Sequence, residues 1–142
     1  MGTLIDFVSD SDVDHTEFDR GSGWQGAHYQ DGVRCRPYDY MTPSRERVFR
    51  LEVDALQLKD ALEWADAQIG VPYNFGAIAS ILLHDATLNQ TNHLICSQYV
   101  YEFLQKLGYT PLNKQVIRAH DVTPGGLMLS PIFDGKLIKS IG

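Results

Sequence analysis

The first fifty-odd positions read as a series of short strands. Leu4-Ile5-Asp6-Phe7-Val8 is a β-type run that the turn residues Ser9-Asp10-Ser11-Asp12 should close. A second strand begins near His15 and continues through Thr16-Glu17-Phe18, and Asp19-Arg20-Gly21-Ser22-Gly23 supplies a turn. Trp24 to Tyr29 forms a third strand, Gln30-Asp31-Gly32 a tight turn, and Val33 to Arg36 a fourth strand. Loops this short join neighbours, so the pattern predicts an antiparallel meander with His15 and His28 on adjacent strands. Cross-strand neighbours have Cβ atoms about 5 Å apart, so the two rings would be within reach of each other. After a looser passage from Pro37 to Pro43, Arg47-Val48-Phe49-Arg50-Leu51-Glu52-Val53 alternates again like a half-buried strand.

The period then changes. Asp54 is placed to cap a helix with Gln57 three residues on, and Leu58, Leu62, Ala65 and Ile69 recur at helical spacing before Gly70 and Pro72 mark the exit. A shorter helix is predicted over 75–83, followed by a polar loop from His84 to Asn92. Another helix is predicted from Ile95 to Leu107, with Val100, Phe103, Leu104 and Leu107 on its buried face and Gly108 as its stop. Leu127-Met128-Leu129 and Lys136-Leu137-Ile138 are late strand candidates. Strands first and helices after predict an α+β fold, an antiparallel sheet or barrel packed against helices, with residues 1–142 forming one domain.

Composition narrows the function classes. With 142 residues and 44% hydrophobic content the chain is long enough to bury its own core. A net charge of −6 argues against a nucleic-acid partner, because neutralising phosphates needs clustered Lys and Arg. Arg45, Arg47 and Arg50 read as a solvated face. No stretch approaches the roughly 20 apolar residues of a membrane span, and Met1 to Asp6 has no basic leader, so a cytoplasmic location is expected. An extracellular target would require release by lysis or delivery with a phage particle. Cys35 and Cys96 are the only cysteines, far apart and outside any Cys-x-x-Cys pair, which favours reduced thiols over a disulfide or zinc ribbon.

Cys96 carries the chemistry. It opens the helix of Leu94-Ile95-Cys96-Ser97-Gln98-Tyr99-Val100, and the partial positive charge of a helix N-terminus favours thiolate over thiol. A cysteine hydrolase needs that thiolate, an imidazole to pair with it, and a polar group to orient the imidazole. Cys96, His15 and His28 are residues of the required types. Each also has a plainer reading: cysteine packs well as a small buried hydrophobe, and His15 between Asp14 and Glu17 suits a solvated surface. His93, three residues before Cys96, is poorly placed for first-turn geometry, and His84 and His120 read as solvated. A zinc ion on His15, His28 and Cys96 would lack a close ligand pair, so neither metal nor cofactor is expected.

The order His15, His28, Cys96, with the cysteine opening a helix, resembles the circularly permuted branch of the NlpC-type papain-like cysteine hydrolases, which includes the YiiX-like proteins and lecithin retinol acyltransferase. Asp14-His15-Thr16-Glu17-Phe18 is similar to the family's Ser-His-Val-Glu strand, and Gly26-Ala27-His28, Gly32-Val33 and Arg36-Pro37 to its next two strands. Ile69-Gly70-Val71-Pro72-Tyr73-Asn74 is similar to its Gly-x-Pro-Tyr-Asp segment, Cys96-Ser97-Gln98 to its Cys-Ser-Glu, and Thr123 through Pro131 to its closing strand. The resemblance implies a permuted papain-like fold with Cys96 as nucleophile, His15 as general base and His28 as the third polar residue. A backbone carbonyl or Glu17 is the alternative orienting group. Tyr73 and Ser97 become candidate substrate contacts. The implied activity is cleavage of an amide in a peptide or peptidoglycan-type substrate through an acyl-thioester. The alternatives are acyl transfer, or thioester or lipid ester cleavage, on the same residues, and an inactive phage or prophage structural or binding protein. The lipid reading predicts a membrane anchor or an exposed apolar rim; the inactive one predicts a disulfide-bonded Cys96 or a sulfur remote from any imidazole.

Overall fold

The computed structural model describes residues 3–10, 15–28, 31–41, 45–73, 96–110, 127 and 130–141. Among them are six strands and two α-helices: β1 (Thr3–Asp10), β2 (His15–Asp19), β3 (Trp24–His28), β4 (Gly32–Arg36), β5 (Glu46–Val53), α1 (Ala55–Ala67), α2 (Cys96–Lys106) and β6 (Leu137–Ile141). The strands form one antiparallel sheet in the order β4-β3-β2-β1-β5-β6. The fold is α+β. The meander β1 to β4 follows the alternation in the sequence, and β5 returns to pair with β1 from Thr3↔Val53 to Ser9↔Arg47.

That long ladder explains one departure from expectation. Ser9 and Asp10 do not end β1; they pair with Thr16 and His15, so partners on the neighbouring strand override the turn preference of those residues. The helix predicted over 75–83, the loop from His84 to Asn92, the residues 123–126, and His84, His93 and His120 lie outside the described residues. Leu127 is helical rather than extended, and Pro131–Phe133 is a short 3-10 turn capped by Ser130. The stretch read as a closing strand therefore ends in a turn, and β6 supplies the final strand.

One side of the sheet packs on the helices through aromatic rings. Phe18 of β2 stacks on Phe103 of α2 with ring centroids 3.9 Å apart, and Phe7 lies 6.1 Å from the same ring. Phe133 joins Phe7 and Phe49, and Trp64 of α1 stacks on Tyr99 of α2 at 5.5 Å. The Tyr99 hydroxyl donates to the Ala65 carbonyl (2.7 Å) and accepts from the Gln25 amide (2.9 Å), so one buried polar atom ties α1, α2 and β3 together. Val100, Phe103, Leu104 and Leu107 are all buried, as their spacing predicts.

Helix ends follow local chemistry. The Asp54 carboxylate accepts from the backbone N–H groups of Leu56 and Gln57, and α1 stops at Ala67, two residues before Ile69. Ile69 is exposed, so the buried face of α1 is Ala61 and Ala65 flanked by Leu58 and Leu62. Gly108, at φ +94, ends α2 while the N–H groups of Gly108 and Tyr109 return to the carbonyls of Gln105 and Leu104. The exit of α1 then runs along β4. Gly70 N–H donates to the Val33 carbonyl and Val33 N–H to the Val71 carbonyl, which covers that sheet edge.

Candidate active site

β2 is buried along almost its whole length, so its two sides face two different interiors. Period-2 alternation puts Thr16 and Phe18 on one side, and His15 and Glu17 on the other. Phe18 meets the helices. Glu17 meets Gly26 of β3, Arg36 of β4 and Tyr40 of the segment that follows β4.

His15 opens β2 and is 7% exposed. From the end of the strand its ring meets two groups: Nε2 lies 3.1 Å from Glu17 Oε1, and the imidazole hydrogen-bonds the side chain of Cys96, the first residue of α2. Burial alone would push the imidazole toward neutrality. The contacts with Cys96 and Glu17 outweigh it, and raise the His15 pKa from 6.5 to about 10. The ring is thereby held as imidazolium through neutral pH.

His28 faces His15 edge-on with ring centroids 5.7 Å apart, which agrees with adjacent positions on β2 and β3. Its own pKa is lowered, first by burial and then by the positive charges of Arg36 and His15. His28 therefore stands beside the imidazolium as a neutral ring, and the group in contact with Nε2 is the Glu17 carboxylate.

Glu17 is 1% exposed and held from several directions. The Tyr40 hydroxyl donates to Oε1, and the Arg36 guanidinium lies 3.9 Å from Oε2, a buried atom that accepts no hydrogen bond from the described residues. Arg36 is itself buried, donating to the carbonyls of Gly26 (3.1 Å) and Gly32 (2.9 Å) and pairing with Asp31, while the Tyr40 ring sits under its guanidinium at 5.7 Å. Gly26 leaves the room Glu17 needs, since a Cβ there would come within 2.7 Å of Glu17 Cγ.

Arg36 and Tyr40 were not legible as site residues. Arg36 ends a strand in a place where arginine usually points to solvent, and Tyr40 falls in a stretch without periodicity. The available signal was register: Trp24 pairs with Arg36 and Gly26 with Arg34, which sets Arg36 on the same sheet side as Gly26 and Glu17.

Of the two candidate substrate contacts, Ser97 is fully buried and Tyr73 is half-buried against the core. Val8, His15, Glu17, Trp24, Tyr38, Tyr40, Met41 and Glu46 line a small recess on the sheet side away from Phe18. It shares Trp24, Tyr38, Met41 and Glu46 with a groove of about 450 Å³ that extends to Ile138 and Ile141 of β6. Neither cysteine is in a disulfide; Cys35 is exposed and Cys96 buried. Among the described residues no group of three or more His, Cys, Asp or Glu side chains is arranged to hold a metal, and no helix is long and apolar enough to cross a membrane. No family model, no curated protein and no solved structure matches the chain.

Proposed function

We propose that this protein is a thiol hydrolase that cleaves an amide through an acyl-thioester, with Cys96 as nucleophile, His15 as general acid and base, and Glu17 as the group that orients His15. The observation that carries the reading is the buried line Cys96–His15–Glu17, in which one imidazole contacts a thiol and a carboxylate. Contact of Nε2 with Glu17 leaves Nδ1 to serve the sulfur. His28 borders the line and shapes the His15 pocket.

The chemistry follows from those positions. The Cys96 thiolate attacks the carbonyl carbon, and charge develops on the carbonyl oxygen, which the Cys96 backbone N–H in the first turn of α2 is placed to receive. His15 gives its proton to the departing amine as the C–N bond breaks, leaving an acyl-thioester and a neutral imidazole. Water then loses a proton to His15 and attacks the thioester, the C–S bond breaks, and the thiolate–imidazolium pair returns. Glu17 stabilises the imidazolium at both ends of the cycle and holds the ring in one orientation.

A histidine on a strand and a cysteine opening a helix packed on the same sheet, in the order His before Cys, support assigning the chain to the circularly permuted NlpC-type papain-like fold. Ester or thioester cleavage is the second reading. It expects a membrane anchor or an exposed apolar rim, and β6 presents Ile138 and Ile141, 48% and 44% exposed, along the groove that shares walls with the His15 recess.

A panel of fluorogenic amide, ester and thioester substrates of increasing acyl length, run on the parent protein and Cys96→Ala, tests both. Turnover of amides that vanishes in Cys96→Ala, together with an acyl adduct on Cys96 by intact mass, is the expected result. Turnover confined to long-chain esters or thioesters selects the second reading. No Cys96-dependent turnover of any member defeats both.

A further inference from the structure

We propose that Arg36 is the counter-charge that lets a Cys96 thiolate exist beside the Glu17 carboxylate, a positioning residue that acts through the charge balance of the site and never touches substrate. The inference rests on the thiolate–imidazolium reading above and extends it.

A working site holds three charges in near-complete burial: a thiolate on Cys96, a carboxylate on Glu17 and an imidazolium on His15, which are 3%, 1% and 7% exposed. Their sum is −1, and an uncompensated buried charge is costly. The cheapest way to cancel it is to put a proton back on sulfur, which would extinguish the nucleophile. Arg36 brings the sum to zero without consuming a proton, because a guanidinium cannot be deprotonated in a protein.

Its surroundings fit that role. Oε2 of Glu17 is buried without a hydrogen bond from the described residues and faces the guanidinium at 3.9 Å, a separation suited to charge balance rather than to a tight bidentate pair. The guanidinium is fixed by the carbonyls of Gly26 and Gly32, which are dipoles and leave its unit charge in place. Asp31 also pairs with Arg36, but its side chain is 44% exposed and water answers much of its charge. Among the described residues the other titratable groups nearby add little net charge. His28 on β3 is held neutral by burial, Tyr40 gives its proton to a hydrogen bond with Glu17, and Glu46 of β5 faces Lys139 of β6 at 3.7 Å at the edge of the recess.

The test reads the thiolate directly, by its ultraviolet absorbance as a function of pH, in a Cys35→Ser background that leaves Cys96 as the one thiol. Arg36→Met should raise the midpoint of thiolate formation by about one pH unit or more. Adding Glu17→Gln to Arg36→Met removes the uncompensated carboxylate and should return most of that shift, an effect that a purely structural role of Arg36 does not produce. Asp31→Asn should move the midpoint by less than about half a unit. An unmoved midpoint in Arg36→Met, or one that Glu17→Gln fails to bring back, overturns the proposal. Should Arg36→Met not fold, Arg36→Lys carries the test: a midpoint within about half a unit of the parent supports the charge role, and a rise of a full unit or more contradicts it. Absorbance requires no substrate. A protein that passes here and turns nothing over would refute the hydrolase reading and leave the charge account standing; the reverse outcome would do the opposite.

Discussion

On one side of β2, Phe18 lies flat against Phe103 within a cluster of rings; on the other, Glu17 sits equally buried between an imidazole, a tyrosine hydroxyl and a guanidinium. Five residues of chain thus serve two interiors. The apolar side gains free energy from every ring withdrawn from water. The polar side gains little or nothing, because desolvating a carboxylate and its cations costs about as much as their attraction returns. A buried ionic cluster is weak grounds for stability and better grounds for chemistry. The two sides should therefore fail differently when altered.

The sharpest way to break this comparison is at the sulfur. Cys96→Ala is expected to abolish turnover while thermal and urea unfolding stay close to the parent; His15→Ala should abolish turnover too, and at neutral pH should also lose the stability that its raised pKa contributes. A large loss of stability in Cys96→Ala would mean that the sulfur also holds the fold together. On the apolar side, Phe18→Ala should cost about 3–5 kcal/mol in urea unfolding, with activity lost only as far as the protein unfolds.

A subtler difference appears in the pH dependence of stability. The folded-state pKa of His15 is raised from 6.5 to about 10. A raised histidine contributes stability that is fully present below the unfolded value and is lost as pH climbs through the folded one. Unfolding free energies of the parent should therefore decline between about pH 6.5 and pH 10, and the same scan on His15→Ala should be flatter across that window. Phe18→Ala should keep the parent's slope while lying below it throughout. The smallest effect belongs to His28. If it only borders His15, His28→Ala should retain partial activity, on the order of a tenth of the parent value, whereas Glu17→Gln should lose about a hundredfold or more. Inverted losses in a steady-state assay would return the orienting role to His28.

Legibility in the sequence divides along similar lines. Strands β1 to β5 and helices α1 and α2 are visible because alternation, short turns, the Asp54 cap and Gly108 are local signals. Where contacts far along the chain decide, local signals mislead. Ser9 and Asp10 look like turn formers yet extend β1 through pairing with β2, and Ile69 keeps the helical period after α1 has ended. The contact of Cys96 with His15 was legible because cysteine and histidine are scarce residue types and stand in suggestive places. Glu17 was visible only as an alternative to His28, since spacing alone cannot say which neighbour the Nε2 atom will meet. Arg36 and Tyr40 escaped notice because their role arises from the register of β3 on β4 and from the return of the chain after Pro37, neither of which leaves a periodic trace.

The central claim is that Cys96 rests as a thiolate paired with His15. Its most direct test is the ultraviolet difference spectrum between the parent and Cys96→Ser at about pH 7, with Cys35→Ser as the internal comparison. The account predicts that thiolate absorbance disappears with Cys96 and is unaffected by the loss of the exposed Cys35. Equal spectra for the parent and Cys96→Ser, with thiolate appearing only in the ordinary thiol range, would contradict it.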